Sequence, residues 1–115
     1  MYVWIIDDDA AIRALMTTAF QHFGVDVSGF RSVAEAITAL EGPGPGPDVC
    51  FADWTLKDGP ALRVRPLMPE TAFVVMSGNP DVEALLPSDV QWLMKPFHLS
   101  ELARLLKTAE AAGRR

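Results

Sequence analysis

The sequence predicts a single doubly wound α/β domain, in which helices cover both faces of a parallel sheet. Five short apolar runs, each about the length of one strand, are separated by segments with helical spacing or turn residues. Such alternation is typical of parallel sheets built from right-handed crossovers. The chain has 115 residues, half of them hydrophobic, which is enough for one compact domain and too few for two.

The first two strands and helices follow from simple periodicity. Residues 2–6, YVWII, form a continuous apolar run that is typical of a strand buried on both faces. Apolar residues at spacings of three and four over 12–23 predict an amphipathic helix, which Gly24 ends. Residues 25–30 alternate and predict a more exposed strand. Ser32 can then cap a second helix.

The connector at 42–47, GPGPGP, cannot be a helix or a central strand, because each proline lacks an N–H and each glycine resists ordering. We expect a stiff connector within the domain. Three further buried strands are predicted at 49–52, 72–76 and 90–94. They complete a five-stranded sheet.

The helices between these later strands are predicted to be short. Pro66 and Pro69 curtail the third helix, while Pro80 begins a fourth helix that Pro87 stops after about two turns. A leucine stripe starting near Ser100 predicts the last helix. The expected topology is flavodoxin-like, with strand order 2-1-3-4-5 and shortened helices three and four.

Polar side chains follow four of the five predicted strands. Asp7 and Asp8 follow strand one, Asp53 follows strand three, Ser77 follows strand four and Lys95 follows strand five. In open α/β sheets, ligands bind beyond the carboxyl ends of the strands, where the strand order reverses. We therefore expect these five residues to meet at one edge of the sheet.

The carboxylates at this edge predict a metal site. Two carboxylates ~4 Å apart repel by about 4 kcal/mol at an effective dielectric near 20, and one lysine cannot neutralise three of them. All-oxygen ligation suits Mg²⁺ or Mn²⁺, and Mg²⁺ prefers few carboxylates plus a phosphate. A phosphoryl group and a nucleophilic carboxylate would together give an aspartyl phosphate.

These strand-end motifs resemble one family, the CheY-like receiver domains of two-component response regulators. The resemblance rests on IIDDD (5–9), FAD (51–53), VVMSG (74–78) and MKPF (94–97), and it covers essentially the whole chain, so that 1–115 is expected to be one receiver domain. It implies Mg²⁺-dependent phosphorylation by a sensor histidine kinase or a phosphotransfer protein. The domain would catalyse only its own phosphorylation and dephosphorylation, and it would turn over no metabolite.

The resemblance also implies a role for each matching position. It assigns the phosphoacceptor to Asp53, a direct Mg²⁺ ligand to Asp8 and a water-mediated ligand to Asp7. The third protein ligand would be the Thr55 backbone carbonyl. Lys95 would be the ion-pair partner of the phosphoryl group, and Ser77 would supply the hydroxyl that moves towards it. Trp92 would be the switch aromatic that responds to phosphorylation. A cis Lys95–Pro96 bond is implied as well.

Several positions depart from the family pattern. Trp92 stands where Tyr or Phe is usual, and Lys57 stands where many members have proline. The segments on either side of Ser77 are shorter than usual, so the fourth helix, which relatives often use for dimerisation or output, is trimmed. The downstream protein or missing output domain is not specified by the sequence, and a homodimer is compatible with it.

Three nearby polar positions are expected to be structural. Asp9 and Asn79 should cap helices, and Asp58-Gly59 is a turn dipeptide. Two other functions remain open. One is a small phosphohydrolase of the haloacid-dehalogenase type, with Asp7 as the nucleophile and Asp9 as the acid/base. The other is a degenerate receiver that only binds a partner protein.

Composition narrows the classes of partner and the cellular setting that we expect for the chain. The net charge of −5 disfavours direct binding to nucleic acid or to an anionic membrane surface. The single cysteine, Cys50, cannot form an internal disulfide, and its apolar neighbours predict a buried thiol. No stretch approaches the ~18 apolar residues of a membrane span. We therefore expect a cytoplasmic setting.

Overall fold

A computed structural model describes residues 1–113, and it confirms the predicted sheet. The five strands of this sheet are β1 (Tyr2–Ile6), β2 (Asp26–Phe30), β3 (Val49–Asp53), β6 (Ala72–Ser77) and β7 (Gln91–Met94). All neighbouring strands are parallel, in the order β2-β1-β3-β6-β7. This is the predicted order 2-1-3-4-5, with two extra short strands numbered between the third and fourth.

Three α-helices cover the sheet: α1 (Ala10–His22), α2 (Val33–Glu41) and α3 (Leu99–Gly113). The predicted third and fourth helices are shortened, as expected, and both are 3-10 helices, at Ala61–Leu67 and Pro80–Leu85. The tighter 3-10 form suits pieces this short. Within residues 1–113, no helix combines the length and the apolar character that crossing a bilayer requires.

The predicted helix caps are confirmed. The Asp9 carboxylate accepts hydrogen bonds from the Ala11 and Ile12 N–H groups at the start of α1. The Ser32 hydroxyl accepts one from the Glu35 N–H in α2. Asn79 does the same for the second 3-10 helix. Each cap satisfies an N–H that has no partner within its own helix.

The two faces of the sheet build two separate cores. Val3 and Ile5 of β1 lie in the core under α1 and α3, while Trp4 and Ile6 lie in the core under α2 and the 3-10 helices. This alternation is the two-residue period of a strand. The ring of Phe51 packs 5.1 Å from the ring of Phe20, measured between centroids. The sheet is therefore buried on both sides, as its continuous apolar runs predict.

A small hairpin directly after β3 was not predicted. Strands β4 (Thr55–Leu56) and β5 (Gly59–Pro60) pair antiparallel around a turn at residues 57–58. Gly59 has a φ of +134°, a backbone conformation that side chains disfavour, so glycine is required there. The hairpin fixes the path of the chain immediately after Asp53.

Candidate functional site

The five polar residues predicted to converge do meet at the carboxyl edge of the sheet. Asp7 and Asp8 directly follow β1, while Asp53 and Ser77 are the last residues of β3 and β6. Lys95 follows β7, and its backbone N–H continues the sheet pairing by donating to the Ser77 carbonyl at 2.9 Å. The parallel arrangement brings the ends of these strands to one edge.

Asp7 is the most deeply placed of the acids, with a fully buried side chain. Its Oδ2 lies 2.7 Å from the Nζ of Lys95, and its Oδ1 accepts a hydrogen bond from the Asp9 N–H at 2.9 Å. A buried carboxylate is tolerated only when it is paired and hydrogen-bonded, and both conditions are met. Asp7 therefore serves to hold the lysine in the site.

Asp53 is largely but not fully buried, with 13% of its side chain exposed. Its Oδ1 lies 3.5 Å from the Nζ of Lys95 and accepts a weak hydrogen bond from the Thr55 N–H at 3.4 Å. Burial, and next the negative charge of Asp7, raise the pKa of Asp53, while Lys95 opposes that rise. Asp53 is therefore a largely buried carboxylate whose ionised form its surroundings disfavour.

The acidic cluster fits a hard divalent cation. One carboxylate oxygen from each of Asp7, Asp8 and Asp53 can be chosen so that all three atoms lie within 4.8 Å of one another. Oxygen donors are the ligands that Mg²⁺ prefers. Pro60, the strand partner of Thr55, has no N–H to donate to the Thr55 carbonyl, which is consistent with the ligand role that the resemblance implies. The side-chain donor set fits such an ion.

Ser77 and Trp92 lie on neighbouring strands near the site. Ser77 is 7% exposed, and its hydroxyl oxygen accepts a hydrogen bond from the Asn79 N–H at 3.0 Å. Trp92 sits on β7 opposite Val75, and its indole Nε1 is buried with no hydrogen-bond partner in the described part of the chain. An unsatisfied buried donor is costly. The indole N–H of Trp92 is consequently a buried donor that the fold leaves unsatisfied.

Two contacts at this edge of the sheet were not predicted from the sequence. The Arg13 guanidinium donates to the Asp7 carbonyl at 2.7 Å and so braces the turn after β1. The Asp58 carboxylate, expected only in a turn, accepts hydrogen bonds from the Val33 and Ala34 N–H groups at the start of α2. These partners lie 24 and 25 residues apart, so no local sequence signal reveals the contact.

Solved structures that superpose on this chain include receiver domains. A response regulator receiver domain protein from Clostridium thermocellum superposes with a TM-score of 0.86 at 16% identity, covering 98% of this chain and 96% of that one. A structure described as a transiently phosphorylated "switch" in bacterial signal transduction gives 0.81 at 24% identity, covering 99% and 97% of the two chains. These likenesses establish the fold.

Curated relatives align along almost the whole chain. The DNA-binding transcriptional regulator NtrC of Escherichia coli K12 is 30% identical over 93% of this chain and 24% of its own length. The sensor kinase CckA of Brucella abortus is 31% identical over 91% of this chain and 12% of its own length. The chain thus spans about a quarter of NtrC and less of CckA. No protein-family model matches the chain. Fold and sequence nevertheless agree, and the chain belongs to the CheY-like receiver domains of two-component response regulators.

Proposed function

We propose that residues 1–115 form one receiver domain whose phosphoacceptor is Asp53 and whose phosphorylation depends on Mg²⁺. The observation that carries this proposal is the contrast between the two acids beside Lys95. Asp53 is partly exposed, whereas Asp7 is fully buried with its two oxygens engaged by Lys95 and by the Asp9 N–H. Of these two acids, only Asp53 can reach an incoming phosphoryl group without breaking the contacts of the site.

In the proposed transfer, a carboxylate oxygen of Asp53 forms the new bond to phosphorus. The bond between phosphorus and the donor breaks, and its electron pair leaves with the donor group. The Lys95 ammonium, 3.5 Å from Asp53, offsets the negative charge of the phosphoryl oxygens. Asp8, Asp53, the Thr55 carbonyl and, through water, Asp7 would hold Mg²⁺, which would supply further positive charge. The Ser77 hydroxyl would donate one more hydrogen bond.

The raised pKa of Asp53 is consistent with this role. Burial and Asp7 disfavour the ionised form, so the free carboxylate is destabilised relative to an exposed one. A cation relieves that cost, and phosphorylation replaces the carboxylate with a group that can contact both cations. The arrangement therefore couples occupation of the metal site to reactivity of the acid.

The phosphodonor is proposed to be a sensor histidine kinase or a phosphotransfer protein in the cytoplasm. The matched relatives are named as a transcriptional regulator and a sensor kinase, which is compatible with such a relay. Movement of Ser77 and Trp92 would carry the change to the surface around β6 and β7. A downstream protein or output domain, or a second copy of the chain, would bind there.

The test is intact-protein mass spectrometry after incubation with acetyl phosphate and Mg²⁺. The wild type should gain the mass of one phosphoryl group, and Asp53→Asn should gain none. Asp26→Asn, at the opposite edge of the sheet, is a matched control for the loss of one negative charge and should label normally. Labelling that persists in Asp53→Asn would move the nucleophile to Asp7. An unlabelled wild type would favour a degenerate receiver.

A further inference from the structure

The side chain of Asp58 links the hairpin after Asp53 to a different part of the fold. Its Oδ1 accepts a hydrogen bond from the Val33 N–H at 3.1 Å, and its Oδ2 accepts one from the Ala34 N–H at 2.9 Å. These bonds lower the pKa of Asp58 because they favour its ionised form. Asp58 therefore ties the turn of the hairpin to the start of α2.

The same hairpin carries Thr55. Thr55 pairs with Pro60 across the hairpin, and its N–H donates to Asp53. On the other side of the turn, the Arg63 guanidinium donates to the Asp58 carbonyl at 3.2 Å and covers Gly59. The turn is thus anchored from both sides. A small open cavity of about 260 Å³ lies between Asp58 and Asp8 and separates Asp58 from the acidic cluster.

We propose that Asp58 is a positioning residue for the metal site, holding the Thr55 backbone in place through the hairpin. This inference rests on the proposed function, because it assumes that the Thr55 carbonyl is a Mg²⁺ ligand. Asp58 itself does not ligate the ion. A two-strand hairpin is only marginally stable alone, so its anchor decides how well Thr55 is fixed. Mutation of residues that orient metal ligands typically lowers metal affinity by about 10–100-fold.

A purely structural role makes a different prediction. The first turn of α2 already has a cap, because the Ser32 hydroxyl accepts a hydrogen bond from the Glu35 N–H. If Asp58 only completed this cap, its removal and the removal of Ser32 would both lower stability and leave the metal site intact. If Asp58 positions Thr55, only its own removal weakens Mg²⁺ binding.

The experiment measures the Mg²⁺ dissociation constant by tryptophan fluorescence, with MgCl₂ as titrant and Trp54 next to Asp53 as reporter. Asp58→Ala should raise the constant roughly tenfold. Asp58→Asn removes the same charge but keeps one acceptor, so its constant should rise by only about threefold. Ser32→Ala should lower the melting temperature while leaving the Mg²⁺ constant within twofold of the wild-type value.

Two results would overturn the inference. One is an Asp58→Ala constant within twofold of the wild type, and the other is an equal rise in Asp58→Asn and Asp58→Ala, which would indicate lost charge alone. Should Asp58→Ala fail to fold, Arg63→Ala decides. Loss of this cation alone would strengthen Mg²⁺ binding electrostatically, whereas a loosened hairpin would weaken it. Weaker Mg²⁺ binding by Arg63→Ala would therefore support the inference, and unchanged or stronger binding would overturn it. A wild type that binds Mg²⁺ and labels on Asp53 shows that any such failure concerns Asp58 and not the proposed function.

Discussion

Replacing Asp53 by asparagine should make the metal-free domain more stable. In the wild type, Asp53 stands beside two other acids, and Lys95 is the cation that pairs with it. Asparagine keeps the size and the hydrogen-bonding oxygen but removes the charge. A substitution at the proposed phosphoacceptor is therefore expected to abolish labelling and to strengthen the fold at the same time.

The size of the effect follows from the distances. The carboxylate oxygens of Asp7, Asp8 and Asp53 lie within 4.8 Å of one another, and two unit charges at that outer limit repel by about 3.5 kcal/mol at an effective dielectric near 20. Asp53 has two such neighbours, Asp7 and Asp8. Attraction to Lys95 at 3.5 Å recovers about 5 kcal/mol on the same scale. The net repulsion is about 2 kcal/mol, which partial exposure and salt reduce further. We expect a gain of about 1–2 kcal/mol in the free energy of unfolding.

The assay is urea and thermal unfolding followed by circular dichroism, first in EDTA and then with MgCl₂. In EDTA, Asp53→Asn should be more stable than the wild type, with a melting temperature higher by about 4 °C per kcal/mol. At ten times its dissociation constant, Mg²⁺ should stabilise the wild type by about 1.4 kcal/mol and the variant by less. Asp26→Asn should change neither value appreciably. An Asp53→Asn variant that is less stable than the wild type in EDTA would refute the electrostatic reasoning.

Three further predictions concern the same site and the core. Lys95→Ala should destabilise the domain by about 3 kcal/mol, because Asp7 stays buried without its cation. Lys57→Ala, at an exposed lysine, is the control. Equal urea midpoints for the two variants would contradict the prediction. The pKa of Asp53 is higher in the folded state than in the unfolded chain. The free energy of unfolding of the metal-free domain should therefore fall as the pH rises from the unfolded-state pKa to the folded-state pKa. The difference in free energy of unfolding between Asp53→Asn and the wild type should therefore grow from acid to neutral pH. A difference that does not change with pH would contradict this prediction. Burial raises the pKa of the Cys50 thiol, so a disulfide reagent should react with it only after denaturation.

The sheet and its acidic edge were predictable because their signals are local. The continuous apolar run of residues 2–6 can be satisfied only by a strand covered on both faces, and both cores bear this out. Convergence of Asp7, Asp53 and Lys95 then follows from topology, since parallel strands end at one edge. What could be inferred from the sequence was the part that periodicity and sheet geometry determine.

The parts that were missed depend on distant contacts or fine backbone geometry. Whether a short Pro-bounded segment forms a 3-10 or an α-helix depends on tertiary packing around it, and residues 61–67 and 80–85 are both of this kind. The bond from Asp58 to the start of α2 spans 24 residues and carries no local pattern. The identity of a turn dipeptide such as Asp58-Gly59 predicts its backbone shape but not the partner of its side chain.

The second 3-10 helix limits what can dock beside β7. Six residues rising ~2 Å each extend only ~12 Å, and a 3-10 helix has no ridge of side chains four residues apart. Interlocking of two helices needs such ridges on both partners, so symmetrical pairing through Pro80–Leu85 alone is geometrically unfavourable. This segment therefore offers a partner protein only a short docking surface beside β7.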